Sequence, residues 1–172
     1  MRRTFASLNP QEALHVAIFI EERNAGIYHR FAEMFTEFRD PDSLEIASVF
    51  WDMAVEEKRH SSVLQEKYQE RYGNASCALT EEDLQDMIEV PRLEDGDVFA
   101  DTTAQDDARA RALKVALAAE QSAQNYYSRL AEQTKDTNLR RLYSELATME
   151  DGHVAYLENV LSASASEDKG VH

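Results

Sequence analysis

Residues 53–64 read MAVEEKRHSSVL. Read in steps of three and four, the spacing of one helix face, Met53, Glu57, His60 and Leu64 fall in a single row, and Ile46 and Phe50 extend it backwards. An acid and a histidine thus interrupt an otherwise apolar row. The same device returns at residues 146–157, LATMEDGHVAYL, where Leu146, Glu150, His153 and Leu157 share a row that Tyr143 and Val160 extend. In both stretches the glutamate stands three residues after an alanine, and the histidine four residues before a leucine.

Each Glu-x-x-His stretch has an upstream companion. Residues 21–33 read EERNAGIYHRFAE and residues 120–132 read EQSAQNYYSRLAE, so Glu21 precedes Tyr28 by seven, as Glu120 precedes Tyr127. Glu21 and Glu57 are 36 residues apart, and Glu120 and Glu150 are 30 apart. Three extra residues on each arm of an antiparallel hairpin absorb that difference and keep the paired positions level. The chain therefore reads as two similar helical hairpins related by an approximate twofold.

The helix boundaries are chemically marked. Asn9, Pro10 and Glu12 form an N-cap, first-turn proline and capping-box glutamate for a helix running to about Phe38. Asp40 and Pro41 open a second helix ending near Gly73; the third spans about Thr103 to Thr134 and the fourth about Thr137 to Leu161. The expected inward rows are Leu14, Ile18, Glu21, Ala25, Tyr28, Ala32 and Phe35 on the first helix, and Leu113, Ala116, Glu120, Ala123, Tyr127 and Leu130 on the third. Two links are tight, near RDPD and TKDT. The middle one, residues 73–104, is long enough to run the length of a bundle, since a helix of roughly 30 residues is about 45 Å long. Within it, Thr80 opens TEEDLQDMIEV, which reads as a short helix offering Leu84, Met87 and Ile88 to the core, or else as a surface loop. The expected organisation is one all-α four-helix domain over residues 1–162 with a polar tail at 163–172.

Composition agrees with that class. The chain has 172 residues, 43% of them hydrophobic, with only five glycines and three prolines. Its formal net charge of -15 repels nucleic acid and anionic membranes. No segment reaches transmembrane length, and MRRTFASLNP is not followed by a signal-type apolar run, so a cytoplasmic protein is expected. One cysteine, Cys77, excludes an internal disulfide framework and a four-cysteine metal knuckle within this sequence.

Every expected helix carries an acid on its inward row. An isolated buried carboxylate normally takes up a proton, and four converging carboxylates also repel one another. Two divalent cations would balance the charges of Glu21, Glu57, Glu120 and Glu150, with the neutral imidazoles of His60 and His153 completing the ligand set. An acidic helical protein carries some Glu-x-x-His by chance on a solvated face. Two copies, each with a Glu-x6-Tyr companion, are much harder to obtain that way.

This arrangement is the known template of ferritin-like di-iron bundles, one Glu from each of two helices plus a Glu-x-x-His from each of the others. Across about residues 10 to 161 the sequence resembles the rubrerythrin-like branch of that superfamily, most directly in AIFIEERNAGIY and AVEEKRH. The resemblance implies a ferritin-like four-helix bundle of two antiparallel hairpins joined by a long crossover. Glu21 and His60 would be terminal ligands of one metal, Glu120 and His153 of the other, with Glu57 and Glu150 bridging. Tyr28 and Tyr127 match tyrosines that hydrogen-bond ligand carboxylates; either also reads as a core aromatic with its hydroxyl satisfied elsewhere. A homodimer is implied as well.

Departures from the family sharpen the expectation. No rubredoxin iron is expected with one cysteine, and Ala123 stands where rubrerythrins place a further glutamate. Lys58 replaces the methionine that carries haem in bacterioferritin, so no haem is expected. Glu22 and Glu56 read as solvated charges or as neighbours of the ligands, and Glu22 with His29 reads as a surface pair or an outer metal site. His15 and Cys77 show no partners, and Trp51 reads as packing.

Two Fe ions are the expected cofactors, with Mn or Zn as possible occupants of the same oxygen and nitrogen ligands. The leading expectation is a di-iron peroxidase or oxidase acting on hydrogen peroxide or O2 with an external electron donor, a role in oxidative stress. Ferroxidase iron storage in a multisubunit shell, and a non-catalytic metal-binding helical module, are the rival readings.

Overall fold

The computed structural model describes residues 5–87 and 105–167, the side chains of residues 86, 105–107 and 165–167 aside. A single 3-10 turn, Phe5–Ser7, precedes five α-helices: α1 Pro10–Phe38, α2 Pro41–Tyr72, α3 Glu81–Met87, α4 Gln105–Gln133 and α5 Thr137–Glu167. Four are long, and no strand occurs among the described residues, so the all-α class holds. The chain divides into two compact units, Met1–Glu89 and Val90–His172. The first contains the packed pair α1 and α2, and the second the packed pair α4 and α5.

In the first unit, local chemistry sets the hairpin. The Asn9 side chain accepts from the Glu12 backbone N–H at 2.9 Å, and Glu12 accepts from the Asn9 N–H at 3.0 Å, closing the capping box read from NPQE. At the other end Arg39 caps α1 in the left-handed region at φ 62°. A β-carbon makes this conformation unfavourable for most residues, but one such residue reverses the chain abruptly. Asp40 then accepts from the Ser43 N–H at 2.9 Å and starts α2 immediately. At the open end, Gln11 Nε2 donates to the Tyr68 hydroxyl at 2.8 Å, and Tyr68 donates to the Ala75 carbonyl at 2.9 Å.

Between those ends the α1/α2 core is aromatic. Phe50 packs against Tyr28, Phe31 and Phe35 at ring separations of 5.8, 5.5 and 5.7 Å. All four rings are buried. Of the rows expected on these helices, Ile18 and Ile46 lie half-buried at the edge, and the other apolar members are in the core. Ile46 stands at the start of its row, where steps of three and four have drifted from the 3.6-residue repeat, whereas Ile18 lies inside its row between the buried Leu14 and Glu21.

The short helix in the crossover exists as α3. Thr80 Oγ1 accepts from the Asp83 N–H at 3.2 Å, and Asp83 accepts from the Thr80 N–H at 2.9 Å. Leu84 and Met87 are buried, whereas Ile88 and the rest of the crossover to residue 104 lie outside the described residues.

In the second unit Asp136 caps α5, accepting from the Leu139 N–H at 2.9 Å. The helix continues to Glu167, beyond the Leu161 end expected from hydrophobic periodicity. Periodicity locates where an apolar face stops. SASASE lacks such a face, but it contains no proline or glycine to stop the backbone ladder. The tail expected from residue 163 is therefore helical through residue 167, and residues 168–172 lie outside the described set.

Phe50→Ala removes the ring common to three aromatic contacts. It should destabilise the protein by about 3–5 kcal/mol in urea unfolding, because the cavity adds to the lost burial.

Candidate metal centre

The two hairpins place their acid and histidine side chains alike. In the first, Glu21 on α1 and Glu57 on α2 are each fully buried, and His60 lies one helical turn beyond Glu57 with 7% exposure. Glu21, Glu57 and His60 each offer one ligand atom within 4.8 Å of the others. His60 Nδ1 and Glu21 Oε2 are 3.1 Å apart, a hydrogen bond in which the imidazole donates when its proton is on Nδ1. In the second, Glu120 on α4 and Glu150 on α5 are fully buried, with His153 half-buried beside them. His153 Nδ1 lies 3.5 Å from Glu120 Oε2 and 3.5 Å from Glu150 Oε2. Glu120, Glu150 and His153 again offer ligand atoms within 4.8 Å of one another.

Such a set is expensive without a cation. Two carboxylates and an imidazole removed from water need compensating charge or strong hydrogen bonds, and each hairpin concentrates two acids on one small region. Their separations suit ligands of one ion. Nitrogen and oxygen atoms each about 2.0–2.2 Å from a metal and about 90° apart lie roughly 3 Å from one another. The 3.1 Å between His60 and Glu21 matches that spacing, and hard carboxylate with borderline imidazole suits iron, manganese or zinc.

Behind the acids lies a duplicated aromatic stack. Tyr28, fully buried seven residues after Glu21, stacks on Phe50 at 5.8 Å and 28°. Tyr127, fully buried seven residues after Glu120, stacks on Tyr143 at 6.3 Å and 16°. Phe50 and Tyr143 are themselves equivalent, each seven residues before its Glu-x-x-His glutamate. The pairing was not evident from the tyrosines alone, although the common spacing to Glu57 and Glu150 was a usable signal.

The weaker candidates resolve differently. Glu22 accepts from Gln65 Nε2 at 2.7 Å and from Ser61 Oγ at 3.5 Å, joining α1 to α2 directly beside the Glu21–His60 pair. His29 turns to Glu33 at 3.7 Å and packs edge-on against Trp51 at 4.5 Å, an exposed arrangement separate from Glu22's bonds. His15 packs against Tyr68 at 6.2 Å, and Cys77 is a half-buried free thiol. A residue that sequence reasoning passed over is Asn24, 2% exposed on α1 between Glu21 and Tyr28.

No described helix is long and apolar enough to cross a membrane. The family model for rubrerythrin matches residues 12–94 and 111–171. No match was found among curated protein sequences. An uncharacterized conserved protein from Magnetospirillum magnetotacticum MS-1 is similar in structure, with a TM-score of 0.70 and 22% identity over 91% of this chain and 95% of that one. A hypothetical protein from Pyrococcus furiosus is similar with a TM-score of 0.71 and 23% identity, over 94% of this chain and 93% of that one. At such identity the likeness speaks for the fold. Together with the family match it makes the fold class a ferritin-like four-helix bundle.

Tyr126, next to Tyr127 and 5% exposed, has its phenol pKa raised well above 10.0, first by burial and then by Tyr143. The folded chain therefore resists ionising this tyrosine while the unfolded chain ionises it near pH 10, so folding stability is unaffected below that pH and falls above it. Tyr126→Phe should lose less stability than the parent between about pH 9 and pH 11, measured as the shift in urea midpoint.

Proposed function

The chain belongs to the rubrerythrin family, and on that premise we propose that it is a di-iron oxidoreductase that reduces hydrogen peroxide or O2. The observation carrying this reading is the repeated buried set of two glutamates and one histidine in each hairpin. A buried di-iron site is consistent with both the family and that cluster.

In this reading Glu21 and His60 would hold one iron and Glu120 and His153 the other, with Glu57 and Glu150 as the carboxylates shared between them. Iron held there would supply the two electrons that reduction of hydrogen peroxide to two waters requires, with two protons taken up. The protein's part is to hold and exclude. Glu57 and Glu150, at 0% exposure, keep their oxygens away from bulk water. His60 Nδ1 faces Glu21 Oε2 at 3.1 Å, so the imidazole and the carboxylate already converge on one point. The bonds from Ser61 and Gln65 to Glu22 fix the α1/α2 register on which the Glu21–His60 spacing depends. Tyr28 and Tyr127 stand two turns further along the same helices as rigid buried aromatics. Electrons for a second turnover come from an external donor, and the working form is a cytoplasmic homodimer.

Protein loaded anaerobically with Fe²⁺ should retain two irons per chain and develop ferric near-ultraviolet absorption rapidly when peroxide is added. Glu57→Ala and Glu150→Ala should each weaken iron retention by about tenfold or more, since even groups that only support a ligand cost 10–100-fold when removed. A wild-type protein that binds two irons yet does not respond to peroxide or O2 would sink the catalytic reading. Many irons per chain in a large hollow assembly would replace it with storage.

A further inference from the structure

Among the differences between the two hairpins on the face that carries the acids, one sets an amide against a methyl group. Three residues after Glu120 stands Ala123, buried and without a polar atom; three residues after Glu21 stands Asn24. Residues 21, 24 and 28 are spaced i, i+3 and i+7, so the amide occupies the helix row between Glu21 and Tyr28, both of which are fully buried. Its Nδ2 is buried and has no hydrogen-bond acceptor among the described residues.

A helix interior gains nothing from this residue. Asparagine is a poor helix former whose amide competes for backbone bonds, and a buried amide donor without an acceptor forfeits the hydrogen bonds it made in water. An apolar residue of the same size would avoid both costs, as Ala123 avoids them in the other hairpin. The arrangement becomes favourable once an acceptor enters the α1/α2 site from outside.

We propose that Asn24 Nδ2 is a hydrogen-bond donor for a small exogenous anion, azide or peroxide in class, bound to the metal that Glu21 and His60 hold. This rests on the metal reading above. A metal-bound anion keeps part of its negative charge, and a preorganised amide donor stabilises that charge where water is excluded. The two metal positions are then unequal. The one beside Asn24 takes the anion, and the one beside Ala123 offers no such donor.

Azide titration of the diferric protein, followed by its azide-to-iron absorption, tests this with iron content measured on the same samples. Asn24→Leu should keep two irons per chain while weakening the azide dissociation constant about tenfold, the size of one charge-assisted hydrogen bond. The same variant, metal-free, should melt at the same temperature as the parent or higher, because an apolar side chain of similar shape removes an unsatisfied donor. Asn24→Ala, which copies the residue of the other hairpin, should weaken azide equally and serves if the leucine does not fit. Unchanged azide affinity at full iron content overturns the role of Asn24 and leaves the di-iron reading standing. A marked loss of metal-free stability in both variants overturns it as well, since Asn24 would then be a structural residue. Wild-type protein that retains no iron overturns both readings together.

Discussion

The structure depends on the burial of carboxylates. Each hairpin takes two glutamates completely out of water, and Glu21, Glu57, Glu120 and Glu150 are as buried as any leucine in the chain. An uncompensated charge in such a place costs several kcal/mol, comparable to the whole stability of a domain. The apolar rows must therefore hold these side chains against a standing tendency to open. That requirement explains the density of packing around them, with Phe50 against three rings in one hairpin and Tyr127 against Tyr143 and Tyr126 in the other.

Duplication gives this constraint its form, and departures from duplication give it direction. The Glu-x6-Tyr and Glu-x-x-His elements recur with their aromatic stack, so both hairpins solve the same problem in the same way. Phe50 is matched by Tyr143, Asn24 by Ala123, and the Glu22 to Gln65 bond belongs to the first hairpin. The His60–Glu21 separation is 3.1 Å, against 3.5 Å for His153–Glu120. The first hairpin is the tighter of the two around its acid pair. A symmetric pair of metals would gain nothing from that difference, whereas a site that binds a ligand preferentially at one end would.

Much of this was legible in the sequence because the signals are local and redundant. Asn9 with Glu12, Asp40 with Pro41, and Thr80 are short-range capping chemistry; the first two placed the starts of α1 and α2, and Thr80 marked that of α3, where a surface loop was the other reading. The repeat made the acid rows readable, since a buried charge on one helix is ambiguous but the same spacing twice is not. What escaped was of two kinds. The end of α5 escaped because SASASE carries helix-compatible residues with no apolar face to announce them. The stack of Tyr28 on Phe50, the bonds from α2 to Glu22 and the partner of His29 escaped because they depend on cross-helix geometry, which a linear spacing does not specify.

Asn24 belongs to neither kind. Its position on the acid row was countable from Glu21, yet a neutral amide among charged residues draws no attention until burial is known. The energetic asymmetry lies there. A buried carboxylate announces a cation because the cost of leaving it alone is large, and each hairpin buries two. A buried amide with no acceptor costs less, so the fold tolerates it in the metal-free state. That modest cost suits a group whose partner comes and goes: on the proposed reading the acids would hold a cation permanently and the amide an anion in passing.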